Sequence, residues 1–309
     1  MKGVKRVPPA GWSGETRENH YLLHSRAMGQ RLGQHFLVDE AWRGRVIDAL
    51  GIAAGDVWIE IGAGRGEMTA ELARRAGRVY AIEKDPPLAF HLRRLATEAP
   101  NLTLIQADIL KVDLAALIHQ AEEAAPGARV SVYGSLPYYI TSPILHRLFP
   151  VAERLAGAHV IIQREVADRL VARPGTRNYG YLTVATQFYT QPQLVLTIPP
   201  GAFRPAPRVT SALVSMRAPG SAGQLGVADA QEFLGFAQAC FAQKRKKLLN
   251  NLESLAPRAQ ALEWLAAASA PPGARAEQLT IEQLAAVWRA AATSGATYRA
   301  RQSGGRDDS

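Results

Sequence analysis

Across 309 residues there is one cysteine, Cys240. A disulfide within the chain is therefore excluded, and so is a zinc site built from cysteines. No run of about 18 apolar residues occurs, which excludes a membrane-spanning helix of ordinary length. Lys2, Lys5 and Arg6 have no apolar stretch behind them, so the start does not read as a secretory signal. These absences imply a reducing, cytoplasmic setting. Acidic residues are also short: 27 Asp and Glu stand against 36 Lys and Arg, a formal net charge of +9. That balance suits a polyanionic partner such as nucleic acid, although a merely soluble basic protein would read alike.

What is present is enough apolar material, 47% of the chain, for one large domain or two modest ones. Residues 1–28 lack periodicity, carry Pro8, Pro9, Gly11 and Gly14, and read as a mobile arm. Met28 sits just before the first patterned segment and is a candidate start. Residues 293–309 are rich in Gly, Ser, Arg and Asp and read as a disordered tail. Between them, residues 29–218 alternate strand and helix patterns. Asp39 can cap a helix through Trp42, Val46, Ala49 and Leu50 that ends at Gly51. Strands are expected at 57–61, 79–83, 102–106, 130–135 and 159–163, with a closing antiparallel pair at 193–197 and 212–216. Helices are expected over 67–76 (closed by Gly77), through His91 and Leu95, and through Val166 and Leu170. This is an α/β, doubly wound, mostly parallel sheet, which binds ligands at the carboxyl ends of its strands. Residues 219–292 change to helical spacing, with Phe233, Phe236, Ala237, Cys240 and Phe241, then Ile281, Leu284, Ala285 and Trp288. They read as a small all-helical domain.

The first expected strand runs into Glu60-Ile61-Gly62-Ala63-Gly64-Arg65-Gly66. Glycines let the chain turn tightly and let a ligand touch backbone. The spacing is G-x-G-x-G, and the acid Glu60 would repel a pyrophosphate but suit the cationic methionine part of S-adenosylmethionine. Glu83 ends the next strand, where an acid can accept both hydroxyls of a ribose. Asp108 follows the third and can accept from an adenine amino group, with Ile109 against the ring. Each acid alone could be an ordinary helix cap. Three at successive strand ends are harder to ascribe to accident.

The fourth strand ends in Ser135-Leu136-Pro137-Tyr138. An exocyclic adenine nitrogen is a poor nucleophile because its lone pair is delocalised into the ring. Acceptors against both N–H groups favour a pyramidal nitrogen, and the Leu136 carbonyl and Ser135 side chain are candidates. Pro137 stiffens the turn, and Tyr138 offers a face for a base drawn out of its stack. An ordinary proline-containing loop is the bland alternative.

These residues resemble a known family, the KsgA/RsmA small-subunit ribosomal RNA adenine dimethyltransferases. The resemblance spans about residues 31–284 and rests on segments 32–37, 60–66, 82–85, 107–108, 136–138, 163–170, 179–180, 203–209, 241–248 and 275–279. It implies a Rossmann-like class I S-adenosylmethionine methyltransferase domain with a small C-terminal helical domain that binds rRNA. The implied activity is N6,N6-dimethylation of two adjacent adenosines in the 3′-terminal hairpin of 16S rRNA, within the immature 30S subunit. By resemblance, His35, Leu37, Gly62, Glu83, Asp108 and Ser135 contact the cofactor, and Tyr138 and Phe203 stack on the base. The family usually has Asn at the position of Ser135 and commonly at that of Tyr139, which leaves the amino-group geometry open here. The basic run Lys244, Arg245, Lys246 and Lys247, and Arg164, Arg169, Arg173 and Arg177, could meet phosphates or form solvated faces. A monomer without metal is expected. Two rivals stand: a 23S rRNA methyltransferase of the antibiotic-resistance type, and a ribosome-assembly factor that binds with little catalysis.

Overall fold

The computed structural model describes residues 34–243 and 245–294. Expectations for the arm, a start at Met28, Leu32 and Gly33, Lys244 and residues 295–309 lie outside the described residues. The chain enters through a two-residue strand, β1 (Phe36–Leu37). Asp39 then accepts the Trp42 amide at 3.0 Å and starts α1 (Glu40–Leu50), which Gly51 ends in the left-handed region at φ 63°.

The strands and helices then alternate as β2 (Val57–Ile61), α2 (Glu67–Arg75), β3 (Arg78–Glu83), α3 (Pro86–Glu98), β4 (Leu102–Gln106), α4 (Leu114–Ala124), β5 (Val130–Ser135), α5 (Thr141–Leu148) and β6 (Gly157–Gln163). After α6 (Arg164–Leu170) and α7 (Tyr181–Tyr189) come β7 (Gln191–Ile198), β8 (Phe203–Arg204) and β9 (Ser211–Arg217). Seven strands form one sheet in the order β4-β3-β2-β5-β6-β9-β7, with β9 antiparallel to both β6 and β7. The order reverses between β2 and β5, so a crevice opens at their carboxyl ends. Ile61 pairs with Gly134 and Glu60 with Tyr133, so the two strands finish side by side.

Burial on both faces explains why the inner strands β2, β5 and β6 read as nearly continuous apolar runs, while the edge strands β4 and β7 stay partly exposed. Val57, Ile59 and Ile61 face a core shared with α4 and α5, while Trp58 faces a second core with α1 and α2. Gly77 does not close α2 as a left-handed cap: Ala76 is already extended. A Cβ at Gly77 would stand 2.9 Å from the Ala54 carbonyl, so glycine is there for close chain approach.

The helical part comprises α8 (Ala230–Cys240), α9 (Leu248–Leu252), α10 (Arg258–Ala267) and α11 (Ile281–Thr293) around a third core. Tyr179, Val184 and Phe188 join that core, so α7 is packed from both sides. Asn251 Nδ2 donates to the Cys240 carbonyl at 2.6 Å and ties α9 to α8. Thr280 and Gln283 form a reciprocal cap at the start of α11. No helix among the described residues is long and apolar enough to cross a membrane.

Candidate active site

The turn from β2 into α2 places Gly62, Gly64 and Gly66 at φ 73°, 61° and 89°, conformations that side chains disfavour. The Gly62 and Ala63 amides donate to the Ile82 carbonyl at 2.9 and 3.1 Å, which fixes the turn to β3. A Cβ at Gly64 would meet the Phe36 ring at 3.0 Å. So β1 lies directly over the turn, held there by pairing with β8. The Arg65 guanidinium stacks on the same ring, 4.7 Å from its centroid. Sequence reasoning did not find this roof, because a two-residue strand has no period to read.

Five acids line the cavity beneath, whose volume is about 340 Å³: the three strand-end acids Glu60, Glu83 and Asp108, with Glu67 and Asp85. Glu83 is buried, and its two oxygens accept the Gly64 and Asp85 amides, each at 2.8 Å. Burial pushes its pKa up, and those backbone donors oppose the shift. Asp108 accepts the Lys84 ammonium at 2.8 Å and the Leu110 amide at 3.0 Å. The lysine holds that carboxyl below the usual carboxylate range. Lys84 is a site residue the sequence reading missed; its adjacency to the strand-end acid Glu83 was the available signal.

Glu60 lies deepest, 2% exposed, and accepts the Thr69 hydroxyl at 2.6 Å. Burial pushes its pKa up to about 8. Its charge is therefore not standing ready at neutral pH, as the sequence argument assumed. A neighbouring cation would be needed to favour it. The Tyr133 hydroxyl beside it is buried without a partner. The native state keeps a proton on Glu60 that the unfolded chain releases near 4.5, so stability present below that value is lost as pH rises to about 8. Glu60→Gln is expected to flatten this loss. Thermal unfolding of the cofactor-free protein from pH 5 to 9 should show the variant gaining on the wild type as pH rises. Parallel curves would count against the assignment.

Across the cavity stands the end of β5. The Leu136 amide donates to the Ile161 carbonyl at 3.0 Å, and the Pro137 carbonyl accepts the Thr141 hydroxyl at 3.1 Å. Ser135, Leu136, Pro137 and Tyr138 all line the cavity, with Ser135 partly exposed. The Tyr138 hydroxyl is 3.0 Å from Ser211 Oγ, and its ring lies 5.3 Å from that of His35. His35 Nδ1 is 2.7 Å from the Pro205 carbonyl; a carbonyl only accepts, so Nδ1 carries the hydrogen. Ser211 is a second residue that the sequence did not flag.

Leu37, Gly62 and Phe203 also line the cavity, and Leu37 and Phe203 are buried in the core behind it. The structure thus brings together every sequence-expected cofactor and base contact. It does not bring the basic run there: Arg245, Lys246 and Lys247 are exposed between α8 and α9 and do not line the cavity. Of the other arginines, Arg164 is paired with Asp168, and Arg169 with Glu165. Among the described residues no group of three or more His, Cys, Asp or Glu could hold a metal ion.

A family model described as ribosomal RNA adenine dimethylase matches residues 27–292. Over 260 residues the chain is 44% identical to ribosomal RNA small subunit methyltransferase A of Acidobacterium capsulatum, covering 84% of this chain and 89% of that one. The fold matches a dimethyladenosine transferase from Plasmodium falciparum with a TM-score of 0.71 at 22% identity, over 85% of this chain and 100% of that one. It matches the 23S rRNA methyltransferase ErmE with a TM-score of 0.61 at 26% identity, over 82% and 98% of the two chains.

Proposed function

The chain belongs to the ribosomal RNA adenine dimethylase family, and from that premise we propose how and on what it acts. It is an rRNA adenine methyltransferase that uses S-adenosylmethionine. Its substrate is the pair of adjacent adenosines in the 3′-terminal hairpin of 16S rRNA, presented by the immature 30S subunit. The similarity to a small-subunit enzyme at 44% identity supports this target over 23S rRNA.

The observation that carries the site assignment is the register of β2 with β5. It sets the glycine turn and the Ser135–Tyr138 segment against one cavity. The cofactor fits what lines that cavity. Glycine replaces side chains where backbone must be approached, and Glu83 and Asp108 supply acceptors for ribose hydroxyls and an adenine amino group. His35 and Leu37 close it from above. When bound, S-adenosylmethionine supplies an electrophilic methyl group.

The chain's own residues act on the nucleophile. The Ser135 hydroxyl and Leu136 carbonyl accept the two amino N–H groups and turn the nitrogen lone pair out of the base plane. Tyr138 stacks on the base, with Phe203 behind. No general base is needed, because the proton can leave once the nitrogen is cationic. Residues 219–292, with Arg245, Lys246 and Lys247, hold the surrounding rRNA through phosphates. The protein works as a monomer.

The test is methyl transfer from labelled cofactor to undermethylated 30S subunits and to 23S rRNA, comparing wild type with Ser135→Asn. The wild type is expected to label 30S alone, and the asparagine variant to raise kcat a few-fold, since its side-chain carbonyl reaches further than a serine hydroxyl. Labelling of 23S rRNA alone would identify the resistance-type activity. Cofactor binding without transfer by either protein would identify a binding factor.

A further inference from the structure

Among the described residues, four large apolar side chains are exposed: Phe90, Tyr139, Val195 and Val209. Only Tyr139 also lines the cavity. It is 61% exposed, whereas the preceding residue, Tyr138, is partly buried and hydrogen-bonded to Ser211. Both belong to one short turn, Tyr138–Ile140, that leaves the Pro137 kink. Consecutive residues therefore hold one ring inside the cavity and the other at its mouth.

Lys84 lies at the same mouth. Its side chain is 66% exposed, and two influences hold its ammonium above the usual lysine range: Asp108 first, and then the nearby Tyr139 hydroxyl. The ammonium has three N–H donors, and one is directed at Asp108. The lip thus offers an aromatic face and a cation, the pair that recognises a nucleotide in a single strand: a base to stack and a phosphate to neutralise.

We propose that Tyr139, with Lys84 beside it, forms a second nucleotide subsite, which stacks the base adjacent to the one held against Tyr138. This rests on the functional reading above and adds to it how neighbouring adenosines are engaged together. While one adenosine occupies the cavity, its neighbour is held one residue away at the lip, and the two exchange places between rounds. Stacking uses the ring face, so the tyrosine hydroxyl is dispensable and the ring is not.

The experiment uses the full chain with S-adenosylmethionine and undermethylated 30S subunits, comparing wild type with Tyr139→Phe, Tyr139→Asn and Tyr139→Ala. Steady-state transfer gives KM for the subunit, calorimetry gives cofactor affinity, and mass spectrometry of the hairpin fragment counts methyl groups on each adenosine. Tyr139→Ala and Tyr139→Asn are expected to raise KM roughly tenfold, the size of one lost stacking contact. They should also leave more product dimethylated on one adenosine only. Tyr139→Phe should keep the wild-type KM, and cofactor affinity should stay within about twofold in all three. Unchanged KM and product distribution in both non-aromatic variants would overturn the subsite while leaving the functional reading intact. So would an equal loss of cofactor affinity, which would make the ring a wall of the cofactor site. No transfer by the wild type to 30S would sink the functional reading, and this inference with it.

Discussion

Glu83→Ala is expected to weaken S-adenosylmethionine binding by at least roughly a hundredfold, read by calorimetric titration. Two contributions add. The carboxylate holds the empty site in shape, because its oxygens take the Gly64 amide from the turn and the Asp85 amide at the start of α3, each at 2.8 Å. A hydrogen bond to a charged group contributes about 1.5–3 kcal/mol, and deleting this acceptor leaves two amides without their partner. The second contribution is the acceptor itself, placed where the fold presents a ribose. Glu83→Gln separates the two in part. Its single carbonyl oxygen can satisfy one amide, but its NH2 group must then face the other donor. The glutamine variant should fall between wild type and alanine. Glu83→Ala bound within about threefold of wild type, with its fold intact by circular dichroism, would remove Glu83 from the site.

The inner strands of this protein were legible because both faces of the sheet are covered there. β2 and β5, buried along nearly their whole length, coincide with the apolar runs that mark them in the sequence, and the edge strand β4, only partly covered, was found from its shorter Leu102, Leu104 and Ile105 pattern. Within residues 29–218, three helices were not foreseen: α4, α5 and α7. For α7 the reason is physical. Its sequence, Tyr181 to Tyr189, is rich in threonine, valine and aromatics, which favour strands. It is helical because one side packs on the sheet core and the other on the helical core, and tertiary burial overrides local propensity. The strand-end acids were legible as a set, since a doubly wound sheet puts the carboxyl ends of its parallel strands along one edge. What each acid touches was not legible. Lys84 meets Asp108 across 24 residues and Thr69 meets Glu60 across 9, and nothing local encodes either contact. The glycine turn showed its shape in the sequence, but its roof of Phe36 and Arg65 exists only because β1 pairs with β8 about 170 residues away.

Tyr138→Ala is the second large loss expected, in catalysis on RNA rather than in cofactor affinity. Stacking one base on an aromatic ring contributes about 1–3 kcal/mol, so kcat/KM on undermethylated 30S subunits should fall by roughly ten- to a hundredfold. The effect should reach kcat as well as KM. Tyr138 is not a passive surface: the Ser211 hydroxyl at 3.0 Å and the His35 ring at 5.3 Å fix its plane, and His35 is itself anchored on the Pro205 carbonyl. A base stacked on a fixed plane has its amino group aimed at Ser135 and Leu136, whereas one in an enlarged cavity samples other poses, and misplacement by an ångström is enough to slow a reaction strongly. Tyr138→Phe keeps the ring and its contact with His35 but leaves the buried Ser211 hydroxyl without its partner. It should cost about 1 kcal/mol of stability, seen as a lower unfolding midpoint, with activity largely retained. Cofactor affinity should change far less than kcat/KM, because the acceptors Glu83 and Asp108 sit on the opposite wall and only His35 and Ser135 lie on the Tyr138 side. A Tyr138→Ala enzyme with wild-type kcat/KM would show that the base is held by something else. A Tyr138→Phe enzyme as slow as Tyr138→Ala would shift the role from the ring face to the hydroxyl.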